Sequence, residues 1–162
     1  MPVSPSGPQP VAMAFVDAGY LTAAAQSHLK LPIRPRIDGD EMAIWARFAY
    51  RRDIDLMRTY VYDAQYPYDA DQYPEQRAYF DALAAQPGIR LGARPPSRAV
   101  GGVTTGSLAT KGVEALLVLD LVRMAQLRAF DIALIIAGDR DLAEALRVEA
   151  DDDARRVILF SV

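Results

Sequence analysis

Residues 135–146 read IIAGDRDLAEAL. An apolar run, Leu134-Ile135-Ile136-Ala137, stops at Gly138, and two carboxylates, Asp139 and Asp141, follow with one residue between them. A helical pattern then begins. Acids at such a turn have two uses. One is to cap the helix, with Asp139 at the N-cap and Asp141 in the first turn, where the macrodipole favours negative charge. The other is chemistry, because an open α/β sheet keeps its binding crevice at the C-terminal ends of its strands. A lone Gly-Asp-x-Asp speaks more for the cap. Asp17 shifts the balance, since it ends the first apolar run, Val11 to Val16, and Asp63 ends a second expected strand, Arg58 to Tyr62. Acids distant in sequence then converge on one sheet edge. Their mutual repulsion calls for a counter-charge, and a hard divalent cation, Mg²⁺ or Mn²⁺, suits carboxylate oxygens.

A helical pattern over about Lys111 to Arg128 contributes two further acids. At ~100° per residue Glu114 shares the stripe of Leu117, Val118 and Leu121, so it either caps that helix or points into a polar pocket at the core's rim. Asp120 lies ~120° from Glu114 around the axis. Arg123, three residues on, offers it an intrahelical ion pair, which makes Asp120 the secondary candidate. Lys111 shares the Glu114 side, where it would neutralise a phosphate or simply face solvent. His28 is the only histidine, on a surface-like helix, so Ser-His-Asp catalysis is not expected. Trp45 is expected in the core. Tyr60 and Tyr62 share one sheet face and should be packed, whereas Tyr66 and Tyr68, in a loop, are placed to stack on bases.

The elements that must position these residues alternate. Strands are expected at 11–16, 58–62, 89–91, 132–136 and 157–161. Helices are expected at 18–29, from Asp38 or Asp40 to about Arg52 with Met42, Trp45, Ala46 and Ala49 inward, and at 74–86, 111–128 and 141–150. Short, continuously apolar, β-branched strands between helices predict a single-domain three-layer α/β/α sandwich with a mainly parallel central sheet and right-handed crossovers. The segment Pro95 to Thr110, PPSRAVGGVTTGSLAT, reads as a long mobile loop carrying Arg98, with Arg94 at its edge. No Gly-Lys-Ser/Thr closes it, so it is not a Walker-type phosphate loop.

The 162 residues suffice for one domain with a substantial core. The absence of cysteine excludes disulfides and thiolate metal sites. No apolar run is long enough to span a bilayer, and Val113 to Val122, the longest, is interrupted by Glu114 and Asp120. Residues 1–10, rich in Pro and Ser, lack the features of a signal peptide and read as a disordered lead-in to a domain spanning 11–162. A cytoplasmic protein is expected. The chain ends on a strand, which leaves room for a further element beyond Val162. Net charge is −3, so no global basic field advertises nucleic acid. The charge is uneven, however: residues 30–111 carry twelve Lys or Arg, and from Glu114 to Asp153 acids outnumber bases ten to four. Two solvated helix faces account for this, as does a basic approach surface beside an acidic pocket.

The segments AFVDAGYL, RTYVYDA, KGVEALLVLDLVRMAQ, FDIALIIAGDRDL and RRVILFSV stand in the order found in NYN domains, which the chain resembles from Val11 onward. These are the bacterial LabA-like group of the PIN-like nuclease superfamily. The resemblance implies a compact α/β/α sandwich and a metal-dependent RNA-cleaving site built of acids. By motif, Asp17 matches the strand-one acid, Glu114 the acid after Lys-Gly, Asp139 and Asp141 the Gly-Asp-x-Asp acids, and Asp120 a further acid of the same helix as Glu114. Three positions depart from the pattern. Tyr20 stands at a frequent Asn, a variant found in bacterial members, and counts with Lys111, Arg94 and Arg98 among residues expected to meet RNA. Glu114 replaces the usual Asp, and Leu142 a common Phe.

The expected function is a divalent-metal-dependent nuclease, an endoribonuclease with Mg²⁺ or Mn²⁺ held by Asp17, Glu114, Asp139 and Asp141. The expected partners are RNA and no membrane, with a homo-oligomer left open. An RNA-binding or regulatory module without strong catalysis is the alternative. A receiver-like phospho-acceptor also gathers acids and a lysine at strand ends, but its lysine should follow a late strand, and Lys111 opens a helix.

Overall fold

The structure, a computed structural model, describes residues 8–28, 30, 34–50, 53–92, 106–138 and 156–160, of which 106–111 and 156–160 are described as backbone only. In chain order these form β1 (Val11–Asp17), α1 (Ala18–His28), α2 (Gly39–Tyr50), β2 (Asp55–Tyr62), α3 (Tyr73–Ala84), β3 (Ile89–Leu91), α4 (Gly106–Gln126), β4 (Ile132–Ile136) and β5 (Arg156–Phe160). The five strands make one sheet in the order β3-β2-β1-β4-β5, and every pairing is parallel.

A central parallel strand is buried on both faces and must be apolar throughout, which is why β1 reads Val-Ala-Met-Ala-Phe-Val before its acid. Ala12, Ala14 and Val16 face a core shared with Ile37, Met42 and Ala46 of α2 and its approach, and with Leu83 of α3. Met13 and Phe15 face the opposite core, with Val113, Leu117 and Leu121 of α4. The result is a three-layer α/β/α sandwich. On the α4 face Phe15 stacks on Tyr60, with ring centroids 5.4 Å apart.

From β1 the chain steps outward to β2 and β3, then returns across the sheet to β4 and β5. The direction of winding therefore reverses between β1 and β4. Crossovers to either side leave a crevice there at the C-terminal ends of the strands. Asp17 ends β1 at that crevice, and Ala137 and Gly138 leave β4 beside it.

Several expectations are revised in detail. β2 begins at Asp55 rather than Arg58. The register slips between Ala12 and Met13, whose partners are Leu56 and Arg58. Met57 is the extra residue, 43% exposed. Asp55 and Arg58 flank Leu56 and Met57, so no continuous apolar run marks the start of this strand. α4 begins at Gly106, a turn before Lys111. Gly, Ser and Thr compete with helix in an interior but are tolerated in a first turn, so residues 106–110 are helix and not loop. Trp45 is 57% exposed, against the expectation of a core residue. Met42 and Ala46 form the buried stripe of α2, and Trp45 lies ~60–100° round from them, on the flank. Asp38 is the cap of α2, its Oδ1 accepting the amide of Asp40 at 2.9 Å. The expected helix at 141–150, the remainder of the Pro95–Thr110 segment up to Thr105 and the lead-in up to Gly7 lie outside the described residues.

Candidate functional site

Asp17 does two things at once. It is the residue before α1, and its Oδ1 accepts the Tyr20 amide at 2.9 Å, the geometry of an N-cap bonded to the third residue of the helix. It is also only 5% exposed. Burial pushes its carboxyl above the ordinary aspartate value. The amides of Tyr20 and Gly19 pull the other way, and the nearby charge of Asp63 adds to the rise. The carboxylate is held by the helix end yet remains electrostatically stressed.

Asp63 follows β2 and is 7% exposed. Its Oδ1 accepts the Ala64 amide at 2.8 Å, and its Oδ2 takes an ion pair from Arg34. A Cβ built on Gly19 would stand 3.3 Å from Asp17 Oδ1 and 3.5 Å from Asp63 Oδ1, so the two carboxylates flank the first turn of α1. Arg34 reaches Asp63 between the rings of Tyr66 and Tyr79, at 5.9 and 5.4 Å from their centroids. Burial opposes the guanidinium's charge, and the hydrogen bond and charge of Asp63 outweigh it, so its affinity for the proton rises. The Tyr79 phenol is pushed up to about 12, mainly by burial. Arg34 stood in the sequence only as one base among twelve; its signal was its place in the proline-rich segment before α2.

The turn after β4 closes on the same corner. A Cβ at Gly138 would fall inside the ring of Tyr20, so β4 can leave the sheet beside α1 only through a glycine. Tyr20 is half-buried as this wedge. Gly138→Ala is expected to cost about 1–3 kcal/mol, the usual range for forced overpacking. In a Tyr20→Ala background the same change should cost much less, because the overlap is gone. Urea denaturation of the four proteins in this cycle measures the coupling; equal costs in both backgrounds would mean the turn is not packed on Tyr20.

Asp120 takes a different partner from the one its spacing suggested. The Tyr62 hydroxyl donates to Asp120 Oδ2 at 3.0 Å, and Arg123 makes no ion pair among the described residues. Tyr62 is fully buried, and burial followed by the Asp120 charge holds its phenol far above the ordinary range. Tyr62 is also the cross-strand partner of Asp17, so Asp120 reaches the sheet edge through the phenol. Glu114 is half-buried on α4, next to Val113, which shares the core cluster of Ala137. Among the described residues no three His, Cys, Asp or Glu come together closely enough to hold a metal. Asp139, Asp141, Arg94, Arg98 and the side chain of Lys111 lie outside the described residues.

Beyond the acids, the loop after β2 is pinned by Gln76. Its Oε1 accepts the Tyr66 amide at 2.7 Å and its Nε2 donates to the Ala64 carbonyl at 2.8 Å. Tyr60 and Tyr62 are stacked, with centroids 6.4 Å apart, as expected of a packed pair. Tyr68 is 76% exposed and rests edge-on against Tyr73. His28 is exposed. A groove of about 740 Å³ runs from Arg34 past Tyr79 and Gln86 to Gly88, but neither Asp17 nor Asp63 lines it.

No family model matches the sequence, and no curated protein matches it. A solved structure does. A protein of unknown function from Vibrio parahaemolyticus RIMD 2210633 superposes with a TM-score of 0.67 at 14% identity, over 98% of this chain and 85% of that one. The two share a fold. Among the described residues no helix is long and apolar enough to cross a membrane.

Proposed function

We propose that the chain is a divalent-metal-dependent endoribonuclease of the NYN, PIN-like kind, working in the cytoplasm. The observation that carries this reading is Asp17, a buried and electrostatically stressed carboxylate at the point where the sheet reverses its winding, with Gly138 packed against the same helix turn. Asp139 and Asp141 follow Gly138 directly in the chain. The candidate donors are all carboxylate oxygens, with no thiolate or imidazole among them, and that set suits Mg²⁺ or Mn²⁺. Asp17, Glu114, Asp139 and Asp141 would hold the ion; Asp63 is committed to Arg34. A bound divalent ion supplies hydroxide at neutral pH and charge stabilisation at the phosphate. The chain's own tasks are then to fix the acids, through the α1 cap and the glycine turn, and to hold RNA. Lys111, Arg94 and Arg98 would meet phosphates, and exposed Tyr68 would offer a stacking face.

A second reading, an RNA-binding module without catalysis, draws on the ion pair that occupies Asp63. Cleavage of a mixed RNA pool in Mg²⁺, in Mn²⁺ and in EDTA separates the two. The nuclease should cut with metal and stop in EDTA. Mn²⁺ should also raise the melting temperature, as any ligand selective for the native state does, and Asp17→Asn with Asp139→Asn should remove the rise. RNA binding with no cleavage under any metal would favour the module.

A further inference from the structure

α2 is apolar on the wrong side as well as the right one. Met42 and Ala46 are buried in the core. Ile44 and Phe48, about 120–160° round the helix from them at ~100° per residue, are 64% and 77% exposed. Trp45, on the flank between the two faces, is 57% exposed. It also forms one wall of an apolar cleft of about 340 Å³, whose floor includes Leu134 and Ile136 of β4. A helix with apolar side chains on its solvent side as well as its core side carries a second surface to cover. Ile44, Trp45 and Phe48 together expose roughly 400 Å², the size of the largest apolar patch on a typical monomer, which is often functional.

The charges around this patch say what covers it. Asp40 and Glu41 lie in the first turn of α2 and Arg47 in the last. All three are exposed, and none has an ion-pair partner among the described residues. The face therefore carries negative charge at one end, positive charge at the other and apolar side chains between. Such a surface complements itself when turned end for end. A two-fold axis near Ile44 lays two α2 helices antiparallel, with Glu41 against the partner's Arg47 and the apolar side chains of both copies together at the centre. The parallel arrangement would oppose like charges. Two-fold pairing through one patch is also the commonest route to a closed oligomer. The apolar centre of roughly 400 Å² is about the non-polar share of a standard interface of about 800 Å² per partner, and the two turns and the cleft beside Trp45 surround it.

We propose that a second copy of this chain covers the outer face of α2, making an antiparallel two-fold dimer. Sedimentation velocity of the whole chain across a micromolar concentration series tests it. The parent should sediment as a dimer. Phe48→Glu should raise the dissociation constant by at least about tenfold, since truncating or charging a central aromatic removes a dominant contact. Phe48 is largely exposed, so the variant should keep the parent's circular dichroism and melting curve when both are monomeric. Glu41→Arg should weaken the dimer, and adding Arg47→Glu should restore it. A parent that stays monomeric throughout, or a Phe48→Glu dimer as tight as the parent's, overturns the proposal. So does a dimer indifferent to both charge changes, which would place the interface elsewhere.

Discussion

Asp17→Asn should lower RNA cleavage on the order of a hundredfold or more while leaving the metal-free protein at least as stable as the parent at neutral pH. The two halves of this result have one cause. Asp17 is kept in place by the Tyr20 amide, and an asparagine oxygen accepts the same bond, so the cap of α1 survives. The charge is what disappears. In the folded protein burial, followed by the charge of Asp63, raises the carboxyl above its ordinary value of 3.8. A group shifted in that direction favours the native state below its unfolded value, and the advantage is lost as pH rises through the folded value. The parent should therefore lose stability over that window, and Asn, which does not titrate, should not. Melting curves in EDTA across mildly acidic to neutral pH should show the variant's advantage growing with pH. An Asn variant that cleaves RNA as fast as the parent would sink the catalytic assignment, and a variant that unfolds would mean the cap needs the charge.

The sheet was legible in the sequence because parallel strands buried on both faces must be continuously apolar. Val11 to Val16 and Ile132 to Ile136 have no other comfortable place, and both are strands of the central sheet. Where a second force acted, the pattern misled. Asp55 and Arg58 hid the start of β2, because charged residues at the outer end of a strand break the apolar pattern. Trp45 was expected inside because its size rewards burial, yet its angle on α2 leaves it on the flank. At the site, Asp17 followed from its position at a strand end. The pairing of Asp63 with Arg34 did not, since 29 residues separate them and nothing local marks one basic residue among twelve as the chosen partner. Asp120 shows the same limit: Arg123 was the near partner by spacing, and Tyr62, from another layer, is the actual one.

Arg34→Met should destabilise the protein by about 2–4 kcal/mol at neutral pH, the range expected when a buried pair loses one member. The carboxylate of Asp63, with its side chain 8% exposed, would be left without a counter-ion beside Asp17. Arg34 itself is 19% exposed at the side chain, and the water that reaches it sets the effect below that of a fully enclosed pair. Methionine keeps an unbranched stem between Tyr66 and Tyr79, so the loss reports charge more than packing. A further variant identifies the cause. Adding Asp63→Asn should return much of the lost stability, because the orphaned charge is then absent. Urea denaturation of the single and double variants measures both effects. A loss below about 0.5 kcal/mol would make the pair an ordinary solvated contact. Asp63 would then be free to join Asp17 in holding a cation, and the acid set proposed for the metal would have to be redrawn around it.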